Sequence, residues 1–139
     1  FMLQREVAER LAASPGSKAW GRITVLMQYH CVVEHLFDVA PESFTPPPRV
    51  WSAVVRITPR AEKPLVDMVA FDTVLRHAFA QRRKRLANAL QSLGVDWAAA
   101  GVDPGKRADA VTGAEYVALA RSLAPVDRHD PLATEPPGE

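Results

Sequence analysis

Residues 31–58 read CVVEHLFDVAPESFTPPPRVWSAVVRIT, and this stretch decides the fold. Cys31, Val33, His35, Phe37 and Val39 alternate with more polar neighbours at period two, the signature of a half-buried strand. From Val50 to Thr58 the alternation resumes, with Trp51, Ala53, Val55 and Ile57 on one face and Ser52, Val54 and Arg56 on the other. Between them Pro41-Glu42-Ser43-Phe44-Thr45-Pro46-Pro47-Pro48-Arg49 cannot enter a helix or a central strand, because successive prolines remove N–H donors and hold the backbone extended. Two strands joined by a stiff loop follow, and an antiparallel pairing is expected.

Upstream, Phe1 to Leu3 is a short apolar run that reads as strand, and Arg5 to Ala13 reads as helix with Val7 and Leu11 one turn apart. Ser14-Pro15-Gly16-Ser17 is turn chemistry, and a short helix is expected over Gly21 to Tyr29. Downstream, the proline-flanked run Pro59 to Pro64 marks a change from period two to helical spacing, which places a boundary near Arg60. Helices are expected over Leu65–Phe79 and Arg82–Leu93, the second with a Leu86, Leu90, Leu93 stripe and Gly94 as its C-terminal cap. A shorter helix is expected around Trp97. Thr112 followed by Glu115 is a capping box, and Tyr116, Leu119 and Leu123 supply that helix's buried stripe. The segment 124–139 is rich in Pro, Gly and charge, and disorder is expected there.

The 139 residues are 47% hydrophobic and 24% charged, enough for one modest core or two small ones. Arg22, Glu34 and Asp38 interrupt the most hydrophobic region, so no run reaches the roughly 18 apolar residues of a membrane span. One cysteine, Cys31, excludes an internal disulfide and fits a reducing, cytoplasmic setting. His30, His35, His77 and His129 pair with no carboxylate or thiol at ligand spacing, so no metal is expected. Neither a glycine-rich phosphate loop nor a nucleophile elbow occurs, and residue chemistry alone supplies no complete catalytic apparatus. The opening Phe1-Met2-Leu3-Gln4, without an initiator methionine, reads as a chain entered in mid-domain.

Net charge is only +1, yet acids are absent between Glu9 and Glu34 and again between Asp72 and Asp96. The first window carries Lys18 and Arg22; the second carries Arg82, Arg83, Lys84 and Arg85. Cations without interleaved acid suit a surface that follows phosphates, and equally a solvated helix face. The leucine stripe run backwards places Arg82 and Phe79 on one face, so either the helix breaks near Gln81 or Arg82 faces a groove. In both cases the cations gather at a helix N-terminus, where the dipole disfavours them unless an anion binds. Phe44, on its rigid support, can stack on a flat ligand or plug the edge of the core.

Several blocks together resemble the ribosomal RNA adenine dimethyltransferase family. They are Phe1 to Leu11, Ser17-Lys18-Ala19-Trp20-Gly21-Arg22, Phe44-Thr45-Pro46-Pro47-Pro48-Arg49-Val50 with Ser52 to Arg56, and Ala78-Phe79-Ala80-Gln81-Arg82-Arg83-Lys84. The resemblance covers most of residues 1–123 and is strongest to the bacterial small-subunit branch. It implies an α/β fold: the C-terminal strands and helices of a Rossmann-like methyltransferase domain over 1–60, a remnant of a parallel sheet, then a small all-α RNA-binding domain over 61–123.

The implied activity is dimethylation of N6 on two adjacent adenosines near the 3′ end of small-subunit ribosomal RNA, with S-adenosylmethionine as methyl donor and the pre-ribosomal small subunit as partner. The family's Gly-x-Gly cofactor loop and its Asn-Leu-Pro-Tyr motif do not occur in this sequence, so cofactor and catalytic asparagine map to no residue here. By resemblance Phe44 is the aromatic wall against the target adenine, and Arg82, Arg83, Lys84, Arg85, Lys18 and Arg22 contact RNA. Where Trp51 stands the family often carries Asp, which bears on how the loop is seated. Two other readings stay open: a non-catalytic RNA-binding or ribosome-assembly module, and the relatives that methylate large-subunit RNA.

Overall fold

The computed structural model describes residues 1–123; the expected disorder of 124–139 and the position of His129 lie outside them. The chain divides into two compact units, Phe1–Lys63 and Pro64 onward. The first unit runs past Arg60 because its last residues are tied to the preceding elements. The Arg60 N–H donates to the His30 carbonyl at 2.9 Å, its Nε donates to the Gln28 carbonyl at 2.8 Å, and Lys63 Nζ lies 2.8 Å from His30 Nδ1.

In the first unit β1 (Met2–Gln4), α1 (Arg5–Leu11), α2 (Arg22–His30), β2 (Cys31–Val39) and β3 (Ser52–Pro59) follow one another, and the sheet order is β1-β3-β2. Both pairings are antiparallel, so the expected remnant of a parallel sheet is corrected for the described strands. A loop joins β2 directly to β3 with no crossover helix, the connection usual for antiparallel neighbours. β3, the central strand, alternates as its sequence demands: Ala53 and Val55 are buried against Ala8 of α1, with Leu3 and Ile57 alongside. The α1 stripe is shifted from its expected position. Val7 is exposed while Ala8 and Leu11 are buried, since a methyl side chain lets the helix lie close on the sheet.

β2 is a strand, but its expected buried face is not formed. Among the described residues β2 is an edge strand with β3 as its neighbour, and a bulge between His35 and Phe37 shifts the register so that Phe37 pairs with Val54. Phe37 is left 56% exposed, and Leu36 is exposed beside it.

The turn before α2 is locked from α2 itself. The buried Thr24 hydroxyl donates to the Arg10 carbonyl at 2.7 Å and accepts from the Gly21 N–H at 3.2 Å, while Gln28 Nε2 donates to the carbonyls of Leu11 and Ala13, each at 2.9 Å. The unsatisfied carbonyls at the end of α1 thereby gain partners that its own sequence does not supply. Thr24→Val is expected to cost about 1–3 kcal/mol, because it removes the hydroxyl's bonds to the Arg10 carbonyl and the Gly21 N–H together, with Thr24→Ser close to the parent; urea titrations of both variants test this.

In the second unit α3 (Met68–Ala80), α4 (Leu86–Ala89), α5 (Trp97–Ala100) and α6 (Gly113–Arg121) are joined by short turns. α3 begins after Asp67, whose carboxylate accepts from the Val69 N–H at 3.0 Å. Phe71, Val74 and Leu75 of α3 pack in a core with Leu86, Leu90, Tyr116 and Leu119, all at most 1% exposed. The expected helix over 82–93 is corrected: the chain turns at 81–84, forms only the four residues of α4, and closes in a 3-10 turn before Gly94 at φ +67°. A continuous helix would have carried Arg82 into this core. Leu123, expected on the α6 stripe, lies beyond the helix end, and Val117 and Ala120 complete the buried face instead. Among the described residues no helix is long and apolar enough to cross a membrane.

Candidate nucleic-acid interface

The loop between β2 and β3 is shaped by its prolines and by two short backbone bonds. A 3-10 turn spans Pro41–Ser43, the Ser43 N–H donates to Ala40 at 3.0 Å, and the Phe44 N–H donates to Pro41 at 3.2 Å. The Thr45–Pro46 peptide is cis. Phe44 is half-buried, whereas residues 45–51 are exposed. Trp51 leaves the strand pairing intact, since Ser52 still registers with Val39 and with Gln4. Trp51, expected on one face with Ala53, Val55 and Ile57, precedes β3, which begins one residue later, and is 42% exposed where Ala53 and Val55 are buried; the Arg5 guanidinium carbon sits 5.0 Å from its ring centre. Lys18 is exposed in the turn before α2, and Arg22 is half-buried at the first residue of α2.

On the second unit the cations divide by burial. Arg82 is half-buried, 5.8 Å over the Phe79 ring, and Phe79 is tilted against Tyr116 at 5.6 Å. The Tyr116 hydroxyl donates to the Ala108 carbonyl at 2.7 Å. Burial, with the Asp109 charge, pushes the Tyr116 phenol well above its ordinary value. Arg82 thus belongs in part to the packing of its own unit. Arg83, Lys84 and Arg85 are exposed, and an antiparallel bridge sets Arg85 opposite Arg107. Among the described residues none of Arg83, Lys84, Arg85 and Arg107 has a carboxylate within ion-pairing distance, while Arg76 is paired with Asp72 at 2.7 Å and Lys106 with Glu115 at 3.1 Å.

Arg82–Arg85 precede α4 and do not form its first turn. The N–H groups of Leu86 and Ala87 donate to the carbonyls of Lys106 (2.8 Å) and Pro104 (3.0 Å), so the chain's own backbone fills the first turn of α4. Any phosphate is left to the arginine and lysine side chains. Arg107 was not legible in the sequence, because it lies between Asp103 and Asp109 in a loop without periodicity.

Glu115 fixes that loop. Burial raises its carboxyl, but the Thr112 N–H at 3.0 Å and the Lys106 ammonium outweigh burial and hold it below its ordinary value. A depressed carboxyl stabilises the fold at pH above its unfolded value of 4.5, and that contribution is lost as pH falls through the folded value. Glu115→Gln is therefore expected to be less stable than the parent at pH 7 and to converge with it in acid; thermal melts between pH 7 and 3 check this.

The histidines have local partners. His35 Nε2 lies 2.7 Å from Asp38, His77 Nδ1 lies 2.9 Å from the Thr73 carbonyl, and burial, with Lys63 adjacent, keeps His30 below its ordinary value. Among the described residues no cluster of three or more His, Cys, Asp or Glu could hold a metal ion.

The family described as ribosomal RNA adenine dimethylase matches residues 1–124. Ribosomal RNA small subunit methyltransferase A of Chromohalobacter salexigens is 52% identical over 128 residues, covering 89% of this chain and 45% of that protein. Its namesake in Pseudomonas aeruginosa is also 52% identical over 128 residues, covering 89% and 48%. The chain thus spans about half the length of these curated relatives. Among solved structures, a dimethyladenosine transferase from Plasmodium falciparum superposes with a TM-score of 0.71 at 23% identity, over 85% of this chain and 54% of that one. The 23S rRNA methyltransferase ErmE gives 0.65 at 24% identity, over 88% and 52%. At these identities the superpositions establish that the chain shares its backbone arrangement with about half of each of these structures.

Proposed function

From the premise that the chain belongs to the ribosomal RNA adenine dimethylase family, we propose that it is a portion of a methyltransferase acting on small-subunit ribosomal RNA. The reaction is dimethylation at N6 of two adjacent adenosines near the RNA 3′ end, in the cytoplasm, on a pre-ribosomal small subunit. The observation that carries this reading is Phe44, half-buried on a proline-stiffened loop.

A target adenine must leave its stack before its exocyclic amine can react, and the flipped base needs an aromatic face to rest on. A ring already held by the Pro41–Ser43 turn loses little entropy when a base settles against it. Arg83, Lys84, Arg85 and Arg107 hold RNA phosphates, and Lys18 and Arg22 add contacts from the first unit. Such contacts position RNA without reading its sequence.

S-adenosylmethionine supplies the methyl groups in this family, and the described residues do not fit it. A nucleoside cofactor of this kind sits on a glycine-rich turn between a strand and a helix. Here the β1–α1 junction is Gln4-Arg5, with no glycine, and the strands are antiparallel. On this reading the described residues contribute to RNA binding and do not by themselves form the cofactor site.

The test is a chimera in which this chain replaces the matching segment of the Chromohalobacter salexigens relative, incubated with unmethylated small subunits and S-adenosylmethionine. Mass spectrometry of the digested RNA is expected to show N6,N6-dimethyladenosine. RNA binding without dimethyladenosine would instead favour a non-catalytic assembly module.

A further inference from the structure

We infer that a cleft between α1 and the end of the proline loop holds one single-stranded nucleotide of bound RNA, its base stacked on Trp51 and its phosphate on Arg49. The inference rests on the RNA-binding reading above. Gln4, Arg5, Glu9, Arg49, Val50 and Trp51 line the cleft, whose volume is about 350 Å³, within the roughly 300–1,000 Å³ range of small-molecule sites.

Trp51 does not behave as a packing residue. Trp20 of the same unit is 2% exposed, whereas Trp51 remains 42% exposed with a cation over its ring. The backbone that carries the indole is tied down, the Trp51 carbonyl accepting from the Arg5 N–H at 2.9 Å, and the Arg5 guanidinium over one face of the ring lies 3.8 Å from Glu9 and 3.9 Å from Asp38. A ring on a fixed backbone loses less freedom on stacking than one on a free loop.

The charges suit a nucleotide. Arg49 is exposed, with no carboxylate in ion-pairing distance among the described residues, and can meet one phosphate. The carboxylates of Glu6 and Glu9 nearby disfavour a continuous phosphate track and favour a neutral base bearing amino groups. Phe44 and Trp51 both stand on the connection between β2 and β3, and on this reading one RNA strand meets both. Trp51 is on this reading a positioning residue that sets the register of the RNA.

The experiment follows the indole N–H signals of Trp20, Trp51 and Trp97 by NMR while the 139-residue chain is titrated with a single-stranded RNA. Trp51→Phe assigns the signal, and affinities are measured for Trp51→Phe and Trp51→Ala. Expected are a shifted Trp51 signal, a Trp51→Phe variant close to the parent, and a loss of roughly tenfold in affinity for Trp51→Ala. RNA that binds while the Trp51 signal stays in place overturns this inference and leaves the proposed function standing. RNA that does not bind overturns both. Since the indole shift is read on the parent chain, a Trp51→Ala variant that fails to fold does not blunt the test.

Discussion

Replacing Arg83, Lys84, Arg85 and Arg107 together by glutamine is expected to weaken RNA binding by roughly three orders of magnitude at about 0.1 M salt, with the parent and variant converging near 1 M salt. Each phosphate neutralised on a single strand contributes about 0.7 to the slope of log K against log salt concentration, so four lost contacts flatten that slope by about 3. These side chains are exposed and pair with no carboxylate among the described residues, so the melting temperature should hardly move. Arg82 is left out of the set because its guanidinium packs on Phe79, and its removal would mix a stability effect with a binding effect. Fluorescence anisotropy across a salt series decides the matter: an unchanged slope would mean that the acid-free window is only a solvated surface.

Phe44→Ala in the chimera is expected to lower kcat/KM for methyl transfer by about 5- to 150-fold, the equivalent of the roughly 1–3 kcal/mol that one base–aromatic stack contributes. Phe44→Tyr should retain most of the activity, because a ring face remains. Binding of the whole RNA should fall much less, since backbone contacts elsewhere carry most of that affinity. A Phe44→Ala enzyme as active as the parent, with an unchanged melting temperature, would reduce Phe44 to a plug at the edge of the core.

The fold was legible wherever the signal was local. Thr112 and Glu115 form their capping box as the spacing demands, with the Glu115 N–H donating to the Thr112 hydroxyl at 3.1 Å. The prolines of 41–48 keep that segment out of any strand, and the β3 alternation buries Ala53 and Val55. The conflict at Arg82 was also visible, because a charge on a leucine stripe must be resolved somehow, and the chain resolves it by breaking the helix after Ala80. Less was legible at the candidate site. The basic run Arg82–Arg85 could be read directly, but its extension to Arg107 could not. Arg107 stands far along the chain from that run, with α4 and α5 between them, and the gap is closed in space by the bridge to Arg85 and the neighbouring bonds of Leu86 and Ala87 to Lys106 and Pro104.

By itself the sequence determined the type of each principal element, the stiff support of Phe44, the acid-free cation windows and the family. These rest on contacts within a turn or two of each residue: capping, side-chain period and the dihedral limits of proline. Only the tertiary structure decided that β3 is central, that β2 turns its hydrophobic residues outward through a bulge, that Arg107 stands opposite Arg85, and that Trp51 lies under Arg5. Periodicity states which side of an element is apolar but not which neighbour it meets, because neighbours far apart in sequence are selected by the packing of the whole unit.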